Sequence, residues 1–205
     1  MESEYIKTRD RVRDLAEVYT NKREVNAMLD LVGKPTYKMS TKILEPACGN
    51  GNFLDAILER KLEHVKKTYK KHGGIKRLEY NIIKSLASTY GIDIDKDNVN
   101  ESRERLLQRV KNFYSDHLNT NIANEGFYDS VKYILEKNII LGDALNSQNK
   151  IFFSEFKKVS NDNYALSESR YHYSELLKPE KEQIPIKVFE EKIYLALHEN
   201  GEENE

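Results

Sequence analysis

An α/β fold on a parallel sheet is what this chain of 205 residues predicts, and three stretches predict it. Each is a short apolar run that delivers a carboxylate: Ile43-Leu44-Glu45, Tyr90-Gly91-Ile92-Asp93 and Ile139-Ile140-Leu141-Gly142-Asp143. Long segments with apolar residues at helical spacing separate them, the alternation that marks βαβ units.

In chain order, Val12, Leu15, Val18 and Tyr19 predict a helix over Tyr5 to Tyr19. A second helix follows, with Asn21 and Glu24 spaced as a capping box and Gly33 and Pro35 ending it. After the first strand, Pro46 cannot continue a buried ladder. Gly49 and Gly51 free the backbone for a tight turn, and Asn50 or Asn52 can cap the helix beginning near Phe53. Such a turn points backbone N–H groups at a ligand, a carboxylate or a phosphate by glycine spacing alone.

The helix from Phe53 to Lys71 carries Leu54, Leu58, Leu62, Val65 and Tyr69 in register and breaks at His72-Gly73-Gly74. Its lysines and arginines, clustered from Arg60 to Arg77, read as a solvated face, with a local basic surface as the alternative. A short helix over Glu79 to Ala87 leads to the strand around Ile92, whose Asp93 can accept from ribose hydroxyls while Asp95 caps the next helix, Asp97 to Leu118. A loop from Asn119 to Gly126 and a helix from Asp129 to Glu136 precede the third strand.

Length fits one domain with a real core, or one with an appendage. No apolar run reaches the length of a membrane span, and the first residues lack the pattern of a signal peptide. The single cysteine, Cys48, excludes an internal disulfide and fits a reducing cytoplasm, where its neighbours suggest packing more than nucleophilic work. No histidine has a partner at zinc spacing, so no metal is expected. A net charge of −1 argues against a dedicated nucleic-acid clamp without excluding a local basic face.

Glu45-Pro46-Ala47-Cys48-Gly49-Asn50-Gly51-Asn52-Phe53 resembles motif I of the adenine-specific DNA methyltransferases of restriction-modification systems, whose loop wraps S-adenosylmethionine. Gly91-Ile92-Asp93-Ile94-Asp95 resembles motif II, Gly142-Asp143-Ala144 motif III, and Val18-Tyr19-Thr20-Asn21 motif X lying ahead of motif I. The resemblance implies a Rossmann-like methyltransferase fold in shortened form, with N-terminal helices. It also implies a cofactor site of Tyr19, Thr20, Glu45, Pro46, Ala47, Cys48, Gly49, Gly51, Phe53, Asp93, Ile94, Asp143 and Ala144. In that set Glu45 meets the ammonium, Tyr19 and Thr20 sit beside the carboxylate, Asp93 holds the ribose, Ile94 lies on the adenine ring and Asp143 contacts its amino group. Three parts follow: a helical extension over 1–36, a cofactor domain over 37–160 and a C-terminal segment over 161–205.

The resemblance covers Val18 to Leu145 and stops short of catalysis. The family carries Asn or Asp, Pro-Pro and an aromatic residue, whose polar groups hold the target amine and whose ring stacks on a flipped-out base. The four prolines here, Pro35, Pro46, Pro179 and Pro185, include no adjacent pair. Asn161-Asp162-Asn163-Tyr164 is either a degenerate version or a polar turn. Tyr164, Tyr171, Tyr173, Arg170 and His172 form a patch that either stacks on single-stranded nucleic acid or packs on the sheet edge, and Lys187 to His198 reads as an amphipathic helix. The expected reaction is methyl transfer to the exocyclic amine of adenine in DNA. The alternative is a silent S-adenosylmethionine-binding protein, or one subunit of a split enzyme whose partner brings the catalytic motif and target recognition.

Overall fold

The computed structural model describes residues 21–118, 123–146, 150–159 and 164–201. The helix expected over Tyr5 to Tyr19 lies outside them, as do Thr20 and Asn161 to Asn163. Helix α1, Lys22–Val32, starts where Asn21 accepts the Glu24 backbone N–H at 3.0 Å, the cap the sequence predicts. It lays Val25 and Leu29 on Ala56 and Ile57 of α2, Asn52–His72. Between them runs β1, Ile43–Glu45; after α2 come α3, Ile75–Leu86, and β2, Thr89–Asp93. Then follow α4, Lys96–Leu118, α5, Phe127–Asn138, and β3, Ile139–Leu141.

The three strands form a parallel sheet in the order β1-β2-β3, with Glu45 opposite Gly91 and Asp93 opposite Leu141. Each strand lies beside its predecessor in the same direction, so right-handed crossovers carry α2 to α5 over one face. Leu54, Leu62, Ile82, Leu106, Val110 and Ile134 of those helices join in a single apolar cluster. At the crossing of α2 and β2, a Cβ on Gly91 would stand 2.7 Å from Leu54 Cδ1 and 3.1 Å from Cys48 Sγ. Gly91→Ala is therefore expected to cost about 1–3 kcal/mol, read as a lower urea midpoint at unchanged slope.

Side chains alternate along a strand, so Tyr90 and Ile92 turn to the opposite face. There they meet an antiparallel layer in which β4, Phe152–Lys158, pairs with β5, Ala165–His172. Phe153 packs edge-on to Tyr90 at 5.3 Å, and Ile151 and Tyr173 complete the cluster. Since β4 and β5 pair across position 160, the C-terminal segment is bound into the same body. Behind the hairpin, the buried Glu168 carboxylate accepts from the Tyr133 hydroxyl, the Ser154 hydroxyl and the Asn200 side-chain amide.

The expected helix from Lys187 to His198 is not formed. Two short strands, β6, Lys187–Val188, and β7, Lys192–Ile193, instead run along β5, and a 3₁₀ turn spans Leu197–Gly201. The apolar residues there do not share a helical face: Phe189 is buried under Arg170 and Lys187, whereas Val188 and Ile193 face outward. Backbone bonds from Ile186 N–H to Arg170 O and from Phe189 N–H to Glu168 O hold the extended path.

Two buried ionisable groups tie these layers together. Glu79 of α3 accepts from the Tyr114 and Tyr194 hydroxyls at 2.9 and 2.6 Å and from the backbone and side chain of Asn124 at 3.0 and 2.6 Å, using all its lone pairs. Lys61 of α2 has no exposed surface. Its ammonium faces five oxygens: the carbonyls of Thr41, Ser85 and Ser88 and the hydroxyls of Ser88 and Thr89.

Candidate functional site at the carboxyl ends of the parallel strands

All three parallel strands end on one side, and their register sets Glu45, Asp93 and Gly142-Asp143 along one margin. In open α/β sheets ligands bind in the crevice outside such strand ends. The loop from Pro46 to Gly51 folds over this margin, donating Cys48 N–H to Ile92 O at 2.8 Å and Gly49 N–H to Asp93 Oδ2 at 2.8 Å. Gly49 and Gly51 have φ of +53° and +87°, and a Cβ on Gly51 would come 2.8 Å from Ser102 Oγ. Neither asparagine caps α2 by its side chain: the cap is Gly51 in the left-handed conformation, and Asn50 Nδ2 reaches Glu101 at 2.9 Å.

Asp93 joins loop and sheet. Its Oδ1 accepts Asp95 N–H at 2.9 Å and Asn98 Nδ2 at 3.3 Å, and its carbonyl accepts Gly142 N–H at 2.8 Å. A carboxylate has about four acceptor positions, so with three taken one remains, on Oδ2. Asp95 caps α4 as predicted, accepting from Asp97 and Asn98 N–H. Ile94 is 63% exposed beside the margin.

Glu45 is half-buried, with a weak 3.4 Å bond from Ala47 N–H, and burial raises its pKa. Asp143 accepts Leu145 N–H, Asn146 N–H and Asn146 Nδ2 at 2.8 to 3.0 Å, and these bonds hold its pKa below the usual carboxylate range. None of Glu45, Asp93 and Asp143 forms an ion pair among the described residues. A margin of unpaired carboxylates suits a cationic ligand. It opposes a phosphate, and Asp93 already takes the Gly49 N–H that a phosphate would need.

The remaining predicted residues divide. Cys48 is buried between loop and sheet, and burial, reinforced by the Asp93 charge, pushes its thiol up to about 12, so it remains a neutral packing group. Pro46 and Ala47 are exposed on the loop, whereas Ala144 packs against the Tyr90 cluster. Phe53 packs with Ile43 against the cluster of Val25 and Leu29. Tyr19 and Thr20 lie outside the described residues.

Two residues of α4 escaped sequence reasoning. Asn98 is buried against Asp93, and Ser102 Oγ donates to Gly49 O at 2.9 Å. Their signal was small polar residues at i and i+4 on the apolar side of a charged helix. Tyr164 is not at the site. It sits beyond the end of β4 distal to Ile151, against Tyr80 and Tyr194 at 5.2 and 6.2 Å, and seven residues of strand span about 20 Å.

Among the described residues no group of three His, Cys, Asp or Glu could hold a metal, and no helix is long and apolar enough to cross a membrane. Compared with models of known protein families, with curated proteins and with solved structures, the chain matches none.

Proposed function

We propose that the crevice at the carboxyl ends of β1, β2 and β3 binds S-adenosylmethionine, and that the chain is the cofactor-binding part of a DNA adenine methyltransferase of the restriction-modification type. The observation that supports this most is the Asp93 carboxylate gripping the glycine loop between two further unpaired carboxylates, a donor set for a cation that also carries a ribose. Glu45 would face the ammonium, and Asp93 would take a ribose hydroxyl on its remaining Oδ2 position. Ile94 would lie against the adenine ring, and Asp143 would meet its amino group. Tyr19 and Thr20 belong to the same reading, beside the cofactor carboxylate.

When bound, the cofactor supplies an electrophilic methyl group. The protein's part is to orient it and to exclude water, work done by position rather than by proton transfer. What would hold the target amine is not found in the described part of the chain. Tyr164 is half-buried against Tyr80 and Tyr194, away from the crevice, and among the described residues β1 pairs with β2 alone, where a further strand would carry the catalytic loop. These two observations favour the split-enzyme reading, in which a partner subunit brings the Asn-Pro-Pro-aromatic segment and DNA recognition.

The purified chain is accordingly expected to bind S-adenosylmethionine in a calorimetric titration, yet to transfer no labelled methyl group to unmethylated DNA by itself. Transfer by the chain alone would overturn the split reading. Absence of cofactor binding would overturn both.

A further inference from the structure

The last two turns of α2 and the first turn of α3 meet at Gly73-Gly74 and carry Lys66, Lys67, Lys70, Lys71, Lys76 and Arg77. No carboxylate interrupts residues 66–77. Five of the six cations are exposed and Lys66 is half-buried. None forms an ion pair among the described residues. The next acidic residue, Glu79, cannot neutralise them, because its carboxylate is buried and fully engaged by Tyr114, Tyr194 and Asn124. On a chain whose net charge is −1, this is a strong local segregation of charge.

We propose that this elbow binds the phosphate backbone of duplex DNA, without regard to sequence, through those six side chains. Lys66 and Lys70, like Lys67 and Lys71, lie one helical turn apart, about 6 Å along the axis, so long flexible side chains can each reach a separate phosphate. A membrane surface fits less well. The apolar residues of this part of α2, Leu62 and Val65, are buried in the core, and of the large apolar residues in 66–77 only Ile75 is strongly exposed, at 45%, which leaves no apolar face to insert. Base stacking is equally unsupported, since Tyr69 is packed against the core cluster.

The elbow stands apart from the strand-end crevice. Helix α2 starts at the crevice and runs 21 residues, about 30 Å, to the elbow, which corresponds to about nine base pairs of duplex. The proposal takes from the reading above only the choice of DNA as the polyanion.

Its test is fluorescence anisotropy with a labelled 30-base-pair duplex of arbitrary sequence, titrated between 50 and 200 mM salt. Six phosphate contacts predict a log–log salt slope near −5 and roughly a thousandfold loss of affinity across that range. The K66Q/K67Q/K70Q/K71Q variant is expected to lower the slope by about 3 to 4, while the matching Lys→Arg variant keeps it. Both should bind S-adenosylmethionine as the parent does, and D93A should lose the cofactor but keep the duplex. A glutamine variant with an unchanged slope would overturn the proposal. So would a parent protein that ignores the duplex at 50 mM salt or prefers phosphatidylserine vesicles to it.

Discussion

Asp93→Ala is expected to weaken S-adenosylmethionine binding at least a hundredfold, about 2.7 kcal/mol, to the point of no detectable heat in a titration. Two losses combine. The ribose loses its acceptor, and the Gly49 and Asp95 N–H groups and the Asn98 amide lose theirs, so the loop is no longer pinned to the end of β2. The second loss also lowers stability, by about 1–3 kcal/mol, because the half-buried Gly49 and Asp95 N–H groups lose a charged acceptor. Asp93→Asn separates the two effects: its carbonyl can still receive Gly49 N–H, but its amide opposes Asp95 N–H and brings no charge. Unchanged affinity in the alanine variant would end the crevice reading.

The largest effect on stability is expected at Lys61. Burial pushes its ammonium down to about 7, in spite of the five oxygens around it. Between that value and the 10.5 of a free lysine, the unfolded chain holds a proton that the folded chain has released. Stability from this group therefore rises as pH increases from 7 toward 10 and is lost as pH falls through 7. Urea unfolding at pH 7 and pH 9 should show the parent gaining stability and Lys61→Met losing that gain. Lys61→Ala should cost about 3–5 kcal/mol at pH 9, since it empties a filled site and strands the carbonyl of Thr41, whereas that of Ser88 keeps Ile43 N–H.

The strand ends were legible in the sequence because their chemistry is local. Gly91-Ile92-Asp93 and Gly142-Asp143 each announce a strand and the turn after it, and the glycines at 49 and 51 are needed within their own loop. The caps at Asn21 and Asp95 could be read for the same reason. The antiparallel layer could not. Phe153 and Tyr171 become neighbours only through the antiparallel pairing of β4 with β5, and Lys187 to His198 has apolar spacing that a helix would satisfy equally well. What decides against the helix is the exposed backbone of β5, a partner no local pattern reveals. The identity of the loop's anchors, Asn98 and Ser102, was likewise a matter of tertiary contact.

Strand pairing in this fold joins neighbours along the chain: each parallel strand pairs with the next, and β4 pairs with β5. Side chains reach much further: the bond of Glu79 to the Tyr194 hydroxyl closes a span of 115 residues, and Tyr80 packs edge-on to the same tyrosine. During synthesis the residues of the helices and the parallel sheet leave the ribosome before that tyrosine, so Glu79 meets this partner last, after Tyr114 and Asn124. Loops of that size close slowly, and a carboxylate left in an apolar core resists burial until they do. The strand-end crevice is thus built within residues 45–143, while the body behind it is closed by Tyr194, some fifty residues further along the chain.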